Sequence, residues 1–154
     1  MNHEQYAQLV CDTGQALNLP DSDVLPAGQG FIIDGIEIRL LFNEVESGSC
    51  ILCVTEVGLI ADAVRTQVHE SLLMLNFLSG SKTTGTYALD PLTQRASFVV
   101  VLSRPARLTP TDLASLLKLY ARRSLHLQGT LLKDGTLRLP LDTATPSELF
   151  PNLA

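Results

Sequence analysis

The chain has 154 residues, 45% of them hydrophobic and 18% charged, with a net charge of −5 and a pI near 5.0. That apolar share is enough for the core of one domain and argues against global disorder. A net negative chain is repelled on average by a phosphate backbone, which argues against a nucleic-acid partner.

The N-terminus, Met1-Asn2-His3-Glu4-Gln5, lacks the basic and apolar regions of a signal peptide. The longest uncharged apolar stretch, Ser71 to Ser79, is too short to span a bilayer. A cytoplasmic protein without membrane insertion is expected. Three cysteines, Cys11, Cys50 and Cys53, are an odd and small set for a disulfide framework.

Over residues 3–18, Tyr6, Leu9, Val10, Thr13, Ala16 and Leu17 recur at helical spacing. Leu19-Pro20-Asp21-Ser22-Asp23 breaks the pattern, and the loop continues to Gly30. Phe31 to Asp34 reads as a short strand, with Asp34-Gly35 as a hairpin turn. Ile36, Ile38, Leu40 and Phe42 then alternate with Glu37, Arg39 and Asn43, the pattern of a half-buried strand. Cys50 to Val57 is apolar on both faces; such a strand is covered on both sides or leaves one face for a partner.

Residues 60–79 read as a second helix. Ile60, Val64, Val68, Leu72 and Leu75 form one stripe, and Leu73, Met74, Phe77 and Leu78 widen it. A helix apolar over most of its circumference needs cover on more than one side, and a second subunit is the expected second cover. Thr83 to Leu89 is extended, Asp90-Pro91-Leu92-Thr93-Gln94 turns the chain, and Ala96 to Leu102 is a strand by β-propensity. A third helix opens at Thr109, with Pro110 in its first position and Asp112 completing a capping-box-like pattern. Leu113, Leu116, Leu117, Tyr120, Leu127 and Leu131 line one face of it. Arg122-Arg123, followed by His126, reads as a solvated face or a cation near the helix C-terminus. Lys133-Asp134-Gly135-Thr136 reads as a small hairpin turn. Residues 133–154 read as a partly disordered tail behind a single domain of residues 1–132. The order α-β-β-β-α-β-β-α predicts an α+β fold with a mainly antiparallel five-stranded sheet and helices on one face.

No segment carries a complete catalytic pattern. Cys50-Ile51-Leu52-Cys53 is a C-x-x-C, but it lies within a strand-like run, where alternation sends the two thiols to opposite faces. Two buried small hydrophobes are the plainer reading. A zinc site would need two more ligands, and His3, Cys11, His69 and His126 have no supporting spacing. Gly80-Ser81-Lys82-Thr83-Thr84-Gly85 follows a helix where a phosphate loop would open one, and Leu75 stands in place of the first glycine. In Gly28-Gln29-Gly30 the third glycine of a dinucleotide fingerprint is replaced by Ile33, and after His69-Glu70 the second zincin histidine is replaced by Leu73. The acidic pairs Asp21/Asp23 and Glu44/Glu46 lie in turn-like segments and read as solvated loops. The expectation is a protein that is not an enzyme and holds no metal or cofactor. An enzyme would need Cys53, His69 or His126 in a deep pocket.

The stretch Leu72-Leu73-Met74-Leu75-Asn76-Phe77-Leu78, the turn Leu89-Asp90-Pro91-Leu92-Thr93, the strand Ala96–Leu102 and the helix start Leu108-Thr109-Pro110-Thr111-Asp112-Leu113 together resemble the Tir-chaperone family, the class I chaperones of type III secretion. The resemblance covers about residues 3–130. It departs where Tyr120 is the only aromatic residue of the last helix and where the chain runs on beyond Leu132. The resemblance implies a bacterial, cytoplasmic, virulence-associated homodimer that holds the unfolded N-terminal region of one or more effectors, with the secretion-system ATPase as a further partner. By position in the family's fold, it implies effector contacts at Leu9, Leu17, Phe31, Ile33, Ile38, Leu40 and Phe42, and a dimer interface at Val68, Leu72, Leu75, Phe77 and Phe98. The competing reading is a non-secretion adaptor of the same fold that binds a folded regulatory partner.

Overall fold

The computed structural model describes residues 1–20, 22–45, 48–79 and 85–134. Its elements are α1 (His3–Ala16), a 3-10 turn (Ser22–Ala27), β1 (Phe31–Ile33), β2 (Ile36–Val45), β3 (Gly48–Leu59), α2 (Arg65–Ser79), β4 (Gly85–Leu89), β5 (Arg95–Leu102) and α3 (Pro110–Asp134). The strands form one five-stranded sheet in the order β1-β2-β3-β5-β4, and every neighbouring pair is antiparallel. The α+β fold expected from the sequence is the fold observed.

Local chemistry sets the element ends. Asn2 caps α1: its side chain accepts from the Gln5 amide at 2.8 Å, and Gln5 Oε1 accepts from the Asn2 amide at 3.0 Å. Thr109 and Asp112 do the same for α3, with Thr109 Oγ1 accepting from the Asp112 amide at 3.2 Å and Asp112 Oδ2 accepting from the Thr109 amide at 3.2 Å. Asp34 and Gly35 both have positive φ, at 51° and 83°, and join β1 to β2 in a two-residue turn that matches the strand twist. Asp90 shapes the turn between β4 and β5 by accepting from the amides of Leu92 and Thr93. These bonds, that from the Thr93 side chain foremost, hold its carboxyl below the ordinary range.

The core lies on one face of the sheet. Ile36, Ile38 and Leu40 of β2, Ile51, Cys53, Thr55 and Val57 of β3, and Ala96, Phe98 and Val100 of β5 point into it. Leu113, Leu116, Leu117, Tyr120, Leu127 and Leu131 cover it from α3, and Tyr6, Leu9 and Val10 from α1. Each of these large aliphatic side chains contributes roughly 1.5–3 kcal/mol by leaving water. Tyr6 satisfies its own buried hydroxyl by donating to the Leu40 carbonyl at 2.9 Å, and its ring stacks on Phe42.

A bulge between Glu56 and Gly58 kinks β3 where the last turns of α3 arrive. A side chain on Gly58, whose φ is 137°, would stand 2.9 Å from Leu132 Cδ1, so glycine there serves both the backbone and the packing.

Two local expectations change. The second helix starts at Arg65, after a 3-10 turn at Asp62–Val64, and not at residue 60. Lys133 and Asp134 continue α3 instead of opening a hairpin turn, because the apolar face of that helix runs on through Leu131 and Leu132. The expected tail from residue 135, the loop 80–84 and the pair-forming residues Asp21 and Glu46 lie outside the described residues.

Candidate functional site: two uncovered apolar faces

The first face belongs to α2. Val68, Leu72 and Leu75 point into the core. Leu73, Met74, Phe77 and Leu78 point out, and Phe77 is 84% exposed. Residues at i, i+1, i+4 and i+5 share one side of a helix, so these four make a continuous apolar stripe. Such a stripe is a contact surface in search of cover.

The second face is the side of the sheet away from α1 and α3. Leu41 of β2 pairs with Leu52 of β3, which pairs with Val101 of β5. Paired residues point to the same side, so the three make an apolar row across the middle of the sheet. Val54 and Val99 form a second row beside it. Leu41 remains 42% and Val101 50% exposed.

Toward the start of β2 this face turns polar. Glu37 accepts from Arg39 at 2.7 Å, and Glu56 pairs with Arg95 at 2.9 Å. These four residues, with Asp90, Thr93 and Ser97, line an open crevice of about 460 Å³. None of Cys53, His69 and His126 lines it. Among the described residues no group of three or more His, Cys, Asp or Glu side chains could hold a metal ion, and no helix is long and apolar enough to cross a membrane.

The two cysteines of the C-x-x-C occupy opposite faces. Cys53 is buried in the core, where desolvation pushes its thiol up to about 12, while Cys50 is half-buried on the uncovered face. A thiol held that firmly in its neutral form is a poor nucleophile and a poor metal ligand.

The residues assigned by resemblance distribute unevenly. Leu9, Phe31, Ile33, Ile38 and Leu40 are core side chains, and Leu17 and Phe42 pack partly buried against the same core. They belong to or pack on one core cluster, with little surface left for a partner. Val68, Leu72, Leu75 and Phe98 are likewise buried within the chain itself. Phe77 alone of that set is exposed. Strand and helix periodicity groups residues by face but does not say which face the chain covers itself. The outward set Leu41, Leu52, Val54, Val99 and Val101 is legible only as the other half of three strands, β2, β3 and β5.

Arg123 is not on a solvated face. Its guanidinium carbon lies 4.6 Å from the centre of the Phe98 ring and 5.5 Å from that of Tyr87, and Nε donates to the Tyr87 hydroxyl at 2.7 Å. Nothing in the helical spacing of α3 marks Arg123 apart from its neighbour Arg122.

No family model matches the chain, and no curated protein matches it by sequence. Among solved structures, a chain of the crystal structure of the ExsC–ExsE complex shares the fold, with a TM-score of 0.64 at 14% sequence identity. The match covers 85% of this chain and 96% of that one. At this identity the likeness concerns the fold.

Proposed function

We propose that this chain is a class I type III secretion chaperone of the Tir-chaperone kind. In this reading it is a homodimer in the bacterial cytoplasm that binds the unfolded N-terminal region of one or more effectors and keeps it competent for export. It catalyses no reaction and needs no cofactor. The observation that carries the reading is the fold shared with a chain of a two-protein complex. The two uncovered apolar faces support it, because each supplies what one of the two partners needs.

The α2 stripe of Leu73, Met74, Phe77 and Leu78 suits a second copy, since a two-fold axis brings the same stripe onto itself. The sheet face suits the effector. Its apolar rows accept side chains from a segment that lacks a core of its own, and its paired charges lie at one end of those rows. Ordering such a segment costs entropy, which a large apolar contact offsets. The secretion-system ATPase would then receive the loaded complex. A second reading, an adaptor for a folded regulator, uses the same faces; the ExsC–ExsE likeness does not distinguish the two.

The test is light scattering over a dilution series, followed by co-expression. A mass near twice the 16.7 kDa of the chain, returned to one chain by Phe77→Asp, supports the dimer. Co-expression with effector N-terminal segments should keep an otherwise insoluble segment in solution, and Val101→Asp should abolish that rescue. A monomer at every concentration that rescues no segment would sink the chaperone reading. Binding only to a folded regulator would favour the adaptor.

A further inference from the structure

The last turn of α3 arrives at one end of the sheet. Leu132 packs against Gly58, which lies just beyond Glu56 on β3, and α3 closes at Asp134. The crevice lined by Glu37, Arg39, Glu56, Asp90 and Arg95 opens at that same end, on the other face. From there the face runs in a fixed order: the charged crevice, then the Val54–Val99 row, then the Leu41–Leu52–Val101 row. Along β3 the two rows lie roughly 13 and 20 Å from Gly58.

Residues 135–154 continue the chain from this point and carry a matching order. Arg138 is their one cation, and Leu139, Leu141, Leu149 and Phe150 follow it. The crevice holds the carboxylates of Glu37, Glu56 and Asp90 against the guanidinium groups of Arg39 and Arg95, so its balance favours one more cation. Counted from Asp134, an extended chain reaches about 24 Å by Leu141 and about 54 Å by Phe150. The first covers the distance to the nearer row and the second that to the farther row, with length to spare for rounding the sheet end.

The tether favours this occupant over a second copy. A segment joined to the domain acts at an effective concentration on the order of millimolar. A contact too weak to hold a second copy in dilute solution therefore still fills the face from within the chain.

We propose that residues 138–150 form an intramolecular cover: Arg138 docks in the crevice, and Leu139, Leu141, Leu149 and Phe150 lie over the two apolar rows when no partner is bound. A partner of this face then binds by displacing the segment, and its apparent affinity falls by the fraction of chains that are covered. The inference concerns the free chain and holds whichever partner takes the face.

The test uses the full chain in a Cys11→Ser, Cys50→Ser background, with a nitroxide on Ala144→Cys and isotope-labelled methyl groups. Cys53 is buried and stays unlabelled. The methyl signals of Leu52, Val54, Val99 and Val101 should lose about half of their intensity or more against the reduced nitroxide, because tethering keeps the docked state populated. Those of Leu113 and Leu117, on the core side, should keep theirs. Arg138→Glu combined with Leu139→Ser, Leu141→Ser and Phe150→Ser should restore most of the lost intensity. Equal broadening on both faces, or a loss that survives the quadruple variant, would overturn the proposal. A loss of the same size with nitroxide and isotope on different chains would assign the segment to a second copy and overturn it equally.

Discussion

Arg123 reaches from α3 to Tyr87 on β4, donating from Nε to the phenol oxygen at 2.7 Å while its guanidinium lies over the Phe98 ring. One cation thus ties the last helix to the last two strands. Arg123→Met should cost about 1–2 kcal/mol, the worth of a partly desolvated cation–π contact with a charge-assisted hydrogen bond. Arg123→Lys should recover only part of it, because an ammonium lacks the planar fork. Urea unfolding measures both. The Tyr87 hydroxyl gives a second readout. Burial raises its pKa, and the charge and hydrogen bond of Arg123 oppose that rise. Removing Arg123 leaves burial unopposed, so the ultraviolet titration of Tyr87 should move to higher pH in Arg123→Met.

The two sides of α2 should respond differently to truncation. Leu72 is 3% exposed, and Leu72→Ala should cost about 2–5 kcal/mol by leaving a cavity. Phe77→Ser, measured under dilute conditions where any self-association is lost, should change stability by no more than about 0.5 kcal/mol. Thermal unfolding of the two variants at one low concentration gives the comparison. A large loss in Phe77→Ser would mean that the stripe is part of this chain's own core.

Alkaline pH should unfold the chain through two buried groups. Desolvation raises the Cys53 thiol from 9.0 to about 12. Burial first, then the nearby Cys53, raises the Tyr6 phenol from 10.0 to about 12. In the unfolded chain both groups ionise at their ordinary, lower values. The unfolded state therefore loses protons first as pH rises, and stability falls. The contribution is intact below about pH 9 and is lost as pH climbs toward 12. Cys53→Val removes one of the two titrations and should flatten the fall of Tm between pH 9 and 11. An equally steep fall in that variant would assign the effect to other groups.

Much of the fold is legible in the residues themselves. Alternation of Ile36, Ile38 and Leu40 with Glu37 and Arg39 already says which face of β2 is buried, and Asp34-Gly35 and Thr109-Pro110 mark a turn and a helix start by local chemistry alone. The candidate site is less legible for a physical reason. α2 is apolar on most sides, and the sequence does not say whether Leu72 or Leu73 faces the sheet; tertiary packing decides. The same holds for β3, where Cys53 and Leu52 are both apolar and only one side is covered by helices. Arg123 and Asn76 act across elements, Arg123 over the Phe98 ring and Asn76 by side-chain hydrogen bonds to the Tyr87 N–H and carbonyl, and neither leaves a mark in the spacing of its own helix.

The division of Cys50 and Cys53 between the two sides of β3 gives the chain a chemical gauge of its own. A maleimide can approach Cys50 from the uncovered sheet face, while Cys53 stays silent until the domain unfolds. In a Cys11→Ser background the fast labelling phase therefore belongs to Cys50. Its rate follows occupancy of the sheet face, and the later appearance of Cys53 follows unfolding. A single strand reports, by two thiols three residues apart, on whether a partner is seated and on whether the fold beneath it is intact.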